Sequence, residues 1–93
     1  MVQVAQGILD ILKRNQDNSG MRRRFSGVAI ASKSGALDAL RSDVGIVYAK
    51  GGRIAMAITV DGMPKTDYSP DNAGSILIAD LARILVDGLA RAR

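Results

Sequence analysis

Ninety-three residues carrying a formal net charge of +4 make at most one domain, and a chain of that size buries only about 60–65% of its unfolded surface. The chain has no Cys, His, Trp or Glu; all nine of its acids are Asp. Those absences exclude disulfide frameworks, Cys/His zinc sites, histidine acid–base chemistry and every glutamate-based mechanism.

Nucleophiles reduce to Ser, Thr, Lys, Tyr and Asp. Two Tyr and one Phe are too few for an aromatic platform that stacks single-stranded nucleic acid. Positive charge is dense only at Arg22-Arg23-Arg24. That run reads as a solvated surface, with a phosphate or acidic-partner patch as the alternative; no nucleic-acid partner is expected. No stretch approaches the ~20 apolar residues of a membrane span. The N-terminal segment does not read as a signal peptide, because Asp10 interrupts its apolar stretch and no basic residue precedes it.

The first predicted element is a helix over residues 2–14. Val4, Ile8, Leu9, Ile11 and Leu12 fall at helical spacing, and Lys13 and Arg14 suit its C-terminal end. Residues 15–20 are a loop by composition, and residues 21–25 a connector. Three strands follow, over residues 28–33, 45–50 and 53–60. Gly51-Gly52 predicts a tight hairpin between the second and third. Residues 34–44 are expected to form a longer, site-shaping connection between the first two.

In the third strand Ile54, Met56, Ile58 and Val60 share one face. Arg53, Ala55, Ala57 and Thr59 share the other, where small residues predict close packing of another layer. The last helix is predicted over residues 70–91, with Ser69 as N-cap and Pro70 in the first helical position. Leu77, Leu81, Ile84, Leu85 and Gly88 form its expected core face, widened by Ile76, Ile78 and Leu89. The predicted fold class is α+β, a three-stranded antiparallel meander flanked by an N-terminal and a long C-terminal helix. The third strand has no Pro and would be an aggregation-prone edge if left open. A homo-oligomer, or a complementing fragment paired along residues 53–60, is therefore expected.

The sharpest local signal is Lys33-Ser34-Gly35 followed by Ala36. An ammonium, a hydroxyl and a glycine that admits close approach suit a carboxylate, and the Ala36 N–H suits an oxyanion. A simple turn after a strand explains the tripeptide equally well. Asp61-Gly62 and Asp71-Asn72 lack the periodicity of a calcium loop, so no metal is expected. No cofactor is expected either. Gly51-Gly52 opens no helix and is not a phosphate loop.

Over almost its whole length the chain resembles the C-terminal part of class A serine β-lactamases and penicillin-binding relatives. The residues carrying the resemblance are Lys33-Ser34-Gly35, then Asp43-Val44-Gly45-Ile46-Val47-Tyr48. The Gly52-to-Thr59 strand follows, and then Asp67-Tyr68-Ser69-Pro70-Asp71-Asn72 leading into the last helix. The resemblance implies that residues 1–93 are a single partial domain. It implies that Lys33 and Ser34 meet a substrate carboxylate and support a serine–lysine proton network, beside Gly35 and the Ala36 oxyanion amide. Many such enzymes carry an Arg where this chain has Val44, and nearby Arg41 is the candidate substitute.

No Ser here has a Lys three residues on; Ser42-Asp43-Val44 is not Ser-Asp-Asn; and no Glu exists to activate a deacylating water. The resemblance therefore implies a fragment of a serine hydrolase, inactive alone. Its β-lactam or D-Ala-D-Ala-like substrate would be bound only together with a missing N-terminal part. That family is usually exported. The alternative is a non-catalytic α/β interaction module dimerising through its strand edge, similar in element order to profilin-like or roadblock-like domains.

Overall fold

The computed structural model describes residues 2–15, 17–64 and 66–92, with side chains as far as residue 90. Helix α1 spans Val2–Lys13, a single 3-10 turn Met21–Arg24, strand β1 Ile30–Leu37, β2 Leu40–Ala49, β3 Gly52–Val60 and helix α2 Ala73–Ala92. The strands form an antiparallel sheet in the order β1-β2-β3. Helix α2 and the 3-10 turn cover one face, and α1 lies against β1 on the other.

Ile30, Val47 and Ile54 are in register across the three strands. They pack with Met21, Ile58, Ile78, Ala82 and Val86 in the core. Alternation along β3 puts Ile54 and Ile58 on this buried face, with Met56 and Val60 half-buried beside them. The opposite face departs from expectation. Ala55 and Ala57 are exposed, because α1 packs over β1 and leaves an apolar groove of about 480 Å³ between itself and β3.

Both predicted strand boundaries around the motif are corrected. Residues 34–44 are not a long loop: β1 continues to Leu37, β2 begins at Leu40, and only Asp38 and Ala39 turn the chain. Hidden alternation explains the difference. Arg41 and Asp43 are buried polar side chains on the α2 face, where a strand of ordinary pattern carries apolar ones. Ser42 bonds Thr59 across the β2–β3 ladder at 3.1 Å. The second hairpin turns at Lys50 and Gly51, one residue earlier than Gly51-Gly52. Gly51 takes the left-handed conformation at φ +94° that this turn requires.

Helix α2 also starts later than predicted. Ser69 and Pro70 belong to a preceding turn, and Asn72 is the N-cap. Its Oδ1 accepts from the Gly74 N–H at 2.7 Å and the Ser75 N–H at 3.3 Å, satisfying two donors the first turn leaves unpaired. Asn72 Nδ2 donates to the Asp67 carbonyl at 2.7 Å, which ties the cap to the loop before it.

The sheet-facing side of α2 is Ser75, Ile78, Ala79, Ala82 and Val86, not the predicted leucine face. Ala79 and Ala82 are fully buried because small residues let the helix approach the strands closely. Leu77, Leu81, Ile84, Leu85 and Leu89 point outward, 37–65% exposed.

The three arginines do not form an open patch. Arg22 donates to Ser32 Oγ at 2.9 Å, the Leu12 carbonyl at 2.8 Å and the Ile30 carbonyl. Arg23 pairs with Asp71 and Arg24 with Asp80, each at 2.9 Å, fastening the 3-10 turn to α2 and the turn before it.

Candidate active site

The site is built on the outer edge of β1. The Tyr48 N–H donates to the Ala29 carbonyl at 3.0 Å, which sets the phase of the β1–β2 ladder. In an antiparallel pair, bonded and non-bonded positions alternate. Ala31, Lys33, Gly35 and Leu37 therefore exchange bonds with β2, while the N–H and C=O groups of Ile30, Ser32, Ser34 and Ala36 face outward.

Side chains close the first half of that edge. Arg22 takes the Ile30 carbonyl, and Asn15 Nδ2 takes the Ser32 carbonyl at 3.1 Å. The open part begins at the Lys-Ser-Gly motif. There the Ala36 N–H points away from the sheet, and the Ser34 carbonyl accepts from Lys33 Nζ at 2.7 Å.

Lys33 and Ser34 project to opposite faces. Lys33 is exposed and borders the groove beneath α1. Ser34 lies on the α2 face, in register with Asp43, and lines a cavity of about 310 Å³ with Asp17, Arg41, Asp43, Tyr68 and Ser75. Gly35 and Ala36 are exposed at the rim of that cavity.

Arg41 is 5% exposed. Its Nη1 donates to the Leu37 carbonyl at 2.6 Å and the Leu40 carbonyl at 2.7 Å; its Nη2 donates to the Asp67 carbonyl. The guanidinium lies 4.7 Å from the Tyr68 ring centre, and the Tyr68 hydroxyl donates to Asp38 Oδ1 at 2.6 Å. This cluster clamps the β1–β2 turn to the loop before α2. The Asp38 carboxylate that accepts from Tyr68 pushes its hydroxyl above the usual phenol range.

Two aspartates complete the cavity wall, and neither carries a local sequence signal for that role. Asp43 is buried beneath Ser34. Its Oδ2 accepts the Met21 N–H at 2.9 Å, while Oδ1 has no partner, and burial pushes its pKa above the ordinary carboxylate range. Asp17 reaches across from the loop after α1: Oδ2 accepts from the Ser34 hydroxyl at 2.9 Å. Its Oδ1 accepts from Ser19 Oγ at 2.6 Å and the Ser19 N–H at 2.9 Å. Those Ser19 bonds hold the carboxyl below the ordinary range, aided by Ser34 and by the nearby Lys33 charge. The loop composition around Asp17 announces a turn, but its contact with Ser34 spans seventeen residues and no local pattern predicts it.

No curated protein matches the chain. The family model described as the beta-lactamase enzyme family matches residues 3–89. The chain belongs to that family.

Solved structures share its fold. A β-lactamase from Sphaerobacter thermophilus superimposes with a TM-score of 0.79 at 22% identity, over 94% of this chain and 32% of that one. A class A β-lactamase from Mycobacterium abscessus gives 0.78 at 22% identity, over 97% of this chain and 35% of that one. The structure of PBP-A gives 0.71 at 25% identity, over 98% and 37%. The chain thus spans about a third of the length of these neighbours.

No helix among the described residues is long and apolar enough to cross a membrane. No group of metal-ligating side chains converges among them.

Proposed function

We propose that this chain is the C-terminal part of a class A β-lactamase-like serine hydrolase and supplies one wall of its active site. The wall serves a β-lactam or D-Ala-D-Ala-like ligand. Lys33 and Ser34 receive the ligand's carboxylate, Gly35 lets the ligand approach the strand, and the Ala36 N–H donates to the oxyanion formed on acylation. The observation carrying this reading is the β1 edge: its outward carbonyls at Ile30, Ser32 and Ser34 are held by the chain's own side chains, and the Ala36 N–H is turned outward beyond them.

Arg41 enters as the brace of the β1–β2 turn, since three of its N–H groups already serve backbone carbonyls. The nucleophilic serine and the base that deacylates it come from residues outside the ninety-three. Among the neighbours is a PBP-A variant in an acyl-enzyme complex with penicillin G, which is a property of that protein and fits the class of chemistry proposed.

Purified chain is expected to leave a chromogenic cephalosporin unhydrolysed above background. Steady turnover that survives repurification would show that the ninety-three residues hold a nucleophile after all.

The same reading gives β3 a partner. The phase of the ladders turns the N–H groups of Ala55, Ala57 and Thr59 toward an edge that no described strand covers. We infer that a second copy or a complementing segment of the hydrolase pairs there. The chain alone is then expected to self-associate in sedimentation velocity at tens of micromolar. A stable monomer under those conditions would argue against pairing along β3.

A further inference from the structure

The hydrogen bond that the proposed function assigns to a ligand is already made inside the chain. Serine has one hydroxyl hydrogen to donate, and Ser34 gives it to Asp17 Oδ2 at 2.9 Å. The Asp17 carboxylate is held in place. Its other oxygen takes two bonds from Ser19, and the Asp17 N–H donates to Asn15 Oδ1 at 3.0 Å. Asp17 itself is exposed at the mouth of the cavity, and the Lys33 ammonium is close enough to favour its charge.

A carboxylate with a serine hydroxyl on one oxygen and a lysine nearby is the arrangement expected of the bound ligand. Here the chain's own residue provides it. We propose that Asp17 is an internal competitor, an acidic side chain seated where a ligand carboxylate would bind on Ser34. The inference rests on the reading of Lys33 and Ser34 as the carboxylate-binding pair.

A ligand carboxylate faces two obstacles at this seat. It must displace Asp17 from the hydroxyl or meet a Ser34 that offers only lone pairs. It must also approach a like charge, and that repulsion weakens binding. A neutral ligand avoids the second obstacle. Asp17 is therefore a specificity-determining residue that penalises anionic ligands, and Asp43 buried behind it adds no compensating positive charge.

The test is an amide-shift titration of the chain complemented with the N-terminal part of a class A relative, read at Ser34 and Ala36, with penicillin G and with its neutral methyl ester as probes. Asp17→Ala is expected to tighten penicillin G by about tenfold and leave the ester unchanged. Asp17→Asn, which keeps the shape and an acceptor, is expected to recover part of that gain. Ser34→Ala in the Asp17→Ala background should cancel it.

Penicillin G binding that Lys33→Ala weakens but Asp17→Ala does not strengthen would overturn the competitor while sparing the carboxylate-binding pair. An equal gain for acid and ester would also overturn it, since charge would not be the cause. Binding indifferent to the carboxylate in every variant, or absent from all of them, would overturn the competitor and the underlying reading together. The exposed position of Asp17 makes both substitutions compatible with folding, and circular dichroism of each variant is to match the parent.

Discussion

Arg41→Leu is expected to lower the stability of the chain by about 3 kcal/mol or more, read as a fall in the urea midpoint at unchanged slope. A domain of this length has a total of only about 5–14 kcal/mol to lose. The guanidinium is buried and donates to the carbonyls of Leu37, Leu40 and Asp67. Hydrogen bonds from a charged donor contribute about 1.5–3 kcal/mol each, and a buried carbonyl stripped of its partner costs about 1–3 kcal/mol. Leucine replaces the stem's bulk and none of the donors.

The damage spreads because the Asp67 carbonyl is shared. It accepts from Arg41 and also from Asn72 Nδ2, the N-cap of α2. Loosening it frees the β1–β2 turn and the start of the long helix together. Arg41→Lys keeps the charge but not the planar fork, and is expected to recover less than half of the loss. If Arg41→Leu shifted stability by less than ~1 kcal/mol, the clamp would be incidental to the fold.

The second large effect is expected at Gly45, where alanine should cost about 3 kcal/mol. A Cβ there would sit 2.6 Å from the Ala31 carbonyl oxygen, 2.9 Å from Ser32 Cβ and 3.0 Å from Met21 Sδ. The methionine end can rotate, but Met21 is fully enclosed and the Ala31 oxygen belongs to the β1–β2 ladder. Relief requires the two strands to part beside the site. Shortening the sulfur neighbour in a Gly45→Ala/Met21→Ala double variant should therefore fail to restore stability. Full restoration would place the clash on the side chain alone. The same parting of strands would misalign Ser34 and Ala36, so the amide shifts of both are expected to move in Gly45→Ala.

The sequence made legible whatever depends on local rules. Alternation identified the buried face of β3, and a glycine pair located the second hairpin to within one residue. The motif was visible because Lys33, Ser34, Gly35 and Ala36 are adjacent and chemically distinct.

Illegible features depended on partners distant in sequence. Arg41 and Asp43, both buried and polar, disguised a strand as a loop, since each has a partner far along the chain, the Asp67 carbonyl and the Met21 N–H. The α2 helix is apolar around much of its circumference, so hydropathy alone favoured the bulky leucines over the alanines that fit against strands. Ser69 was the predicted cap, whereas Asn72 holds that place in the structure, with its Nδ2 tied to the Asp67 carbonyl. Asp17 was invisible because its partner Ser34 is likewise distant in sequence.

The closure of the β1 edge also limits what can join it. Asn15 and Arg22 occupy its outward carbonyls through Ser32, and the turn at Asp38 and Ala39 ends it just beyond Leu37. Beyond them Lys33 holds the Ser34 carbonyl, which leaves the Ser34 N–H and the backbone groups of Ala36 turned outward. A foreign strand needs a longer ladder than two residues to hold it. A compact molecule with an amide or two needs no more. The edge is thus self-limiting: it excludes a further strand by its shortness and leaves the opening to ligands of small-molecule size.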